Sequence, residues 1–79
     1  MKVLIIEDDE SILNMLKRGL EDEDFVVDTA INGEDGEYLA STNHYDVIIL
    51  DWMLPKKSGI EVLKSLGDKG ILTPVLMLT

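Results

Sequence analysis

Val3-Leu4-Ile5-Ile6, followed at once by Glu7-Asp8-Asp9, is a β-prone apolar run that stops on three acids. It shows no alternation of apolar and polar residues, which marks a strand covered on both faces rather than one with a solvated side. Val47-Ile48-Ile49-Leu50 has the same character and stops on Asp51. Strands of this kind require helices packed above and below them.

The segments between them supply those helices. From about Glu10 to Glu21 the apolar period is helical, with Leu13, Leu16 and Leu20 on one stripe and Ile12, Met15 and Gly19 on the next. The two stripes span about 160° at about 100° per residue, wider than a single packed face needs, which predicts a second apolar neighbour or a docking partner. Phe25 to Thr29 reads as a second strand and Asn32-Gly33 as a turn. Glu34 to about Ser41 reads as a short helix carrying Tyr38, Leu39 and Ala40. Beyond Asp51, Pro55 and Gly59 punctuate a loop, and Ser58 with Glu61 forms an S-x-x-E capping box. A helix is predicted from there, with Ile60, Leu63 and Leu66 facing inward and Gly67 and Gly70 ending it. Thr73-Pro74 leads into a fourth strand, Val75-Leu76-Met77-Leu78, closing at Thr79.

The order β-α-β-α-β-α-β predicts an α/β fold: a doubly wound parallel sheet with right-handed crossovers and helices on both faces. Val75 to Leu78 carry neither the charge nor the proline that usually protects an edge strand. The expectation is therefore that residues 1–79 are part of a domain, with at least one more strand and helix to follow.

Composition narrows the function classes. Seventy-nine residues allow one domain, without internal repeats or a low-complexity linker. Sixteen Asp and Glu against seven Lys and Arg give a net charge of −9, the wrong field for a phosphate backbone, so no direct nucleic-acid contact is expected. Apolar runs of about four residues are too short to cross a bilayer, and the start lacks the pattern of a signal peptide. The chain has no cysteine, which excludes disulfides and thiolate metal sites and suits a reducing cytosol. No Gly-rich phosphate loop follows the first strand, which argues against flavin or dinucleotide binding.

Ligands of open parallel sheets bind beyond the carboxyl ends of the strands, where strand order reverses. If the first and third strands are neighbours, Glu7 and Asp8 converge there with Asp51. Each acid taken singly is ordinary, since acids after a strand also suit a helix N-terminus. Together they need either large pKa shifts or a compensating cation, and an all-oxygen donor set favours a hard ion, Mg²⁺. Asp9 reads as a helix-start residue, whereas Trp52, Lys56, Lys57 and His44 read as packing or solvated positions.

Lys2-Val3-Leu4-Ile5-Ile6-Glu7-Asp8-Asp9-Glu10, then Asp51-Trp52-Met53-Leu54-Pro55 with Ser58-Gly59, then Pro74-Val75-Leu76-Met77-Leu78-Thr79, closely resemble CheY-like response-regulator receiver domains. The likeness is to the OmpR/PhoB subfamily and runs along the whole chain in order and spacing. It implies a flavodoxin-like receiver fold with strand order 2-1-3-4 for the strands present. By position it implies Asp51 as phosphoacceptor, Asp8 as a direct Mg²⁺ ligand, and Glu7 acting on the metal largely through water. Met53 would offer its backbone carbonyl to the metal, and Thr79 would be the switch hydroxyl. The implied partner is a sensor histidine kinase, docking near Ile12 and Met15. The implied setting is cytoplasmic, with transcription controlled through a separate DNA-binding domain. A receiver is a phosphoryl acceptor rather than a classical enzyme, and its conserved Lys and aromatic switch lie on a fifth strand beyond position 79.

Two rival readings are an aspartyl-phosphate phosphohydrolase and a non-signalling fragment that only folds and self-associates. The first wants a D-x-D signature, and Asp51-Trp52-Met53 lacks its second acid. Whatever its role, the 79-residue chain is expected to form a homodimer or larger assembly through the Val75–Leu78 edge.

Overall fold

The computed structural model describes residues 1–78. Its elements run β1 (Lys2–Ile6), α1 (Glu10–Asp22), β2 (Val26–Ala30), α2 (Gly33–Thr42), β3 (Val47–Asp51), α3 (Gly59–Asp68) and β4 (Val75–Leu78). All pairings are parallel and the sheet order is β2-β1-β3-β4, the doubly wound arrangement expected.

The unbroken apolar runs serve two cores because successive side chains of a strand point to opposite faces. Leu4, Ile6, Ile48 and Leu50 face Ala40 of α2 and Val62 and Leu66 of α3. Val3, Ile5 and Ile49 face the other way, onto Leu13, Leu16 and Leu20 of α1. At the amino end of the sheet, buried Tyr45 donates its hydroxyl hydrogen to Asp28 Oδ2 at 2.7 Å, and Lys2 Nζ lies 3.5 Å from the same oxygen.

Helix ends explain where the elements depart from expectation. α1 closes in a Schellman motif: Phe25 N–H donates to Leu20 O and Asp24 N–H to Glu21 O, with Asp24 at φ +68°. Phe25 is thereby committed to the helix cap, and β2 starts one residue later than its apolar run predicts. Asn32-Gly33, expected as a turn, instead opens α2: Asn32 Oδ1 accepts from Asp35 N–H at 2.9 Å as N-cap, and Gly33 is already helical. α3 begins on the expected capping box of Ser58 and Glu61. It runs through Gly67 and ends in a second Schellman motif, with Gly70 at φ +73°.

The inward face of α3 corrects the expectation for that helix. Leu66 is buried as predicted, but Ile60 and Leu63 are 52% and 39% exposed, whereas Gly59 and Val62 point inward. The backbone of Gly59 packs so closely on β3 that the buried stripe is rotated away from Ile60. On α1, Ile12, Met15 and Gly19 face open space among the described residues.

Candidate metal and phosphoacceptor site

The register of the sheet builds the site. Ile6 pairs with Leu50 across β1 and β3, so Glu7 and Asp51 emerge side by side at the carboxyl end. Glu7, Asp8 and Asp51 each present a carboxylate oxygen within 4.8 Å of the others. Asp9 is not among them: its Oδ1 accepts from Ser11 N–H at 2.9 Å and Ile12 N–H at 3.1 Å, capping α1 as expected.

The three acids sit in different surroundings. Glu7 is only 4% exposed, Asp51 is half-buried and Asp8 is exposed. Burial, then contact with the Asp51 carboxyl, pushes the Glu7 carboxyl up to about 7. Glu7 Oε2 accepts one hydrogen bond, from Asp9 N–H at 3.2 Å, which acts in the opposite sense. A cation is the natural counter-charge for such a cluster, and a donor set of oxygens alone fits Mg²⁺. The cleft around it, about 540 Å³, has room for a hydrated ion and a phosphoryl group together.

The loop between β3 and α3 shapes the other side. Met53 N–H donates to Asp51 Oδ1 at 3.3 Å, leaving the Met53 side chain exposed at the cleft with Trp52. Gly59 N–H donates to Trp52 O at 2.9 Å, and a Cβ on Gly59 would collide with the Asp51 carbonyl oxygen. Periodicity missed this contact, although the Ser58-Gly59 pair was the signal for it. Ile12 and Leu78 also line the cleft, and neither side chain has a polar atom to announce it. Thr79, the expected switch hydroxyl, lies outside the described residues. His44 is exposed at the opposite end of the sheet.

Residues 3–79 match the response regulator receiver domain family. The chain belongs to that family. It is 42% identical over 79 residues to the transcriptional regulatory protein DltR of Streptococcus agalactiae, covering 100% of this chain and 35% of that protein. The curated relatives are transcriptional regulators of the OmpR/PhoB subfamily, and the chain spans about a third of their length. Among solved structures, the receiver domain of the Francisella response regulator 1452 superposes with a TM-score of 0.93 at 39% identity, over 96% of this chain and 63% of that one. The Thermotoga maritima response regulator TrrA, in complex with Mg²⁺-BeF, gives 0.83 at 32% identity, over 96% and 64%.

Proposed function

We propose that this chain is the phosphoacceptor part of a two-component receiver, taking a phosphoryl group from a sensor histidine kinase onto Asp51 at a Mg²⁺ site. The observation that carries the reading is the convergence of Glu7, Asp8 and Asp51 at adjacent strand ends. Residues 1–79 act as one partial receiver unit, and TrrA, similar in sequence and fold, is a response regulator seen in complex with Mg²⁺-BeF.

Asp8 and Asp51 would hold the ion directly, Glu7 largely through water, and the Met53 carbonyl would complete the protein's share. Bound Mg²⁺ supplies neutralisation of charge on the phosphoryl oxygens during transfer. The Asp51 carboxylate oxygen attacks the phosphorus of phosphohistidine; the P–N bond breaks, its electron pair returning to the imidazole, and an acyl phosphate forms. The Met53 N–H on Asp51 Oδ1 orients that carboxylate. Thr79 is assigned the hydroxyl that turns toward the phosphoryl group afterwards.

The kinase docks against the exposed Ile12 and Met15 of α1, beside the cleft. The output is transcriptional, through a DNA-binding domain elsewhere in the protein, and the setting is cytoplasmic. No helix of the described residues is long and apolar enough to cross a membrane. The protein is an acceptor rather than a classical enzyme. Exposed apolar residues near the β4 edge further support self-association.

The test is incubation of the full-length protein with acetyl phosphate and Mg²⁺, followed by intact mass. The wild type and Asp9→Asn are expected to gain one phosphoryl group, and Asp51→Asn none. Phosphorylation of Asp51→Asn at the wild-type level would remove Asp51 from its role.

A further inference from the structure

Glu37 stands outside the acidic cluster, on α2, with its side chain only 15% exposed. Its two oxygens reach two different elements. Oε1 meets Lys57 Nζ in the β3–α3 loop, and Oε2 lies 2.9 Å from Lys69 Nζ at the end of α3. Oε1 is buried and makes no aligned hydrogen bond among the described residues, so the Lys57 ammonium is its counter-charge. The Lys57 contact first, and Lys69 next, hold the Glu37 carboxyl below the usual carboxylate range.

The loop that Glu37 grips is held in an unusual shape. Lys56 adopts φ +68°, a left-handed conformation that a residue with a Cβ keeps only when its surroundings impose it. Lys57 N–H then folds back onto Pro55 O at 2.7 Å. The start of α2 lies against this bend: Gly33 N–H donates to Pro55 O at 3.3 Å, and a Cβ on Gly33 would collide with the Lys57 carbonyl. The loop's two ends are tied to Asp51, through Met53 N–H on one side and the Gly59 packing on the other.

We propose that Glu37 is a positioning residue for the acceptor site, its ion pair with Lys57 holding the bend that sets Met53 beside Asp51. This rests on the reading of Glu7, Asp8 and Asp51 as the Mg²⁺ site. Lys69 is the internal control, because it shares Glu37 but bonds Ser41 Oγ at 3.1 Å and has no part in the loop.

Mg²⁺ is titrated into the purified protein and its Glu37→Gln, Lys57→Met, Lys57→Arg and Lys69→Met variants. Emission of Trp52, the single tryptophan of residues 1–79, reports binding, and urea midpoints of the metal-free proteins report stability. Glu37→Gln and Lys57→Met are expected to weaken Mg²⁺ about fivefold, less than removal of a group bonded directly to a ligand. Lys57→Arg should keep most of the affinity, and Lys69→Met all of it even where its urea midpoint falls. Wild-type affinity in Glu37→Gln, or an equal loss in Lys69→Met, overturns the proposal. A wild type blind to Mg²⁺ overturns the cation site instead, and amide spectra of the metal-free proteins then decide the positioning role. The Met53 and Lys57 amide resonances should shift in Glu37→Gln and stay in Lys69→Met; unmoved resonances in both refute it.

Discussion

Glu7 and Asp51 leave the sheet at the same level, because Ile6 and Leu50 are in register on adjacent parallel strands. Glu7 is the buried member of the pair, so its carboxyl holds a proton more tightly than an open carboxylate does. Without metal, folded Glu7 keeps a proton that the unfolded chain gives up between its ordinary 4.5 and about 7. Stability from this group therefore falls as pH rises through that window and is level above it. The loss is on the order of 3 kcal/mol, and Glu7→Gln should abolish it. Urea unfolding of both proteins at about pH 5 and about pH 8, without Mg²⁺, measures the difference. Identical pH dependence in the two would contradict the burial argument. Mg²⁺ affinity should also weaken below about pH 7, since the ion competes with that proton.

Gly59 packs the start of α3 directly onto the end of β3. Gly59→Ala forces a methyl group against the Asp51 carbonyl and Trp52, with backbone on both sides and no flexible side chain to yield. The expected cost is about 2–3 kcal/mol of stability. Displacement of Asp51 should also slow phosphorylation by acetyl phosphate. A urea midpoint and a rate both unchanged would mean that the packing tolerates a Cβ.

Asp24 occupies the left-handed position of the α1 cap, where glycine avoids the Cβ penalty. Asp24→Gly is expected to stabilise the protein by about 0.5–1 kcal/mol, the smaller conformational penalty outweighing glycine's larger unfolded-state entropy. It should leave Mg²⁺ binding unaltered, since the cap lies at the far end of α1. A lower urea midpoint would show that the Asp24 side chain contributes something its geometry does not reveal.

Leu76 of β4 and Leu72, just before it, are 58% and 90% exposed. Burying side chains of this size is worth roughly 1.5–3 kcal/mol each, a large fraction of a small domain's stability. The charge of −9 opposes association, but salt screens it beyond about 8 Å. Sedimentation equilibrium of the 79-residue chain at micromolar concentration should show a dimer or larger species. A monomer that unfolds cooperatively would contradict this.

Signals carried by neighbours in the chain were legible. The Ser58–Glu61 capping box opens α3 as its spacing predicts, and Asp9 caps α1. The β1 and β3 runs are strands buried on both faces. Signals that depend on another element are not legible in the same way. Ile60 and Leu63 fit an apolar stripe, but the stripe that packs is set by how close Gly59 lies to β3. Phe25 looks like strand, yet the α1 cap claims it. Glu37 looks like one more solvated acid, and nothing local shows that Lys57 and Lys69 converge on it.

By itself, then, the chain determined the type and order of its elements and placed acids at the ends of two apolar strands. Periodicity, capping and turn chemistry act over a few residues, so they are written where they operate. Which strands would be neighbours is not written that way, because register is decided by burial of both sheet faces at once. The resemblance to receivers, rather than any local pattern, supplied the order 2-1-3-4. Tertiary structure alone brought Glu7 to Asp51, buried one carboxyl beside the other, and joined Glu37 to the loop that frames them. Charge interactions depend on distance through space and on exclusion of water, and neither exists until the helices close over the sheet.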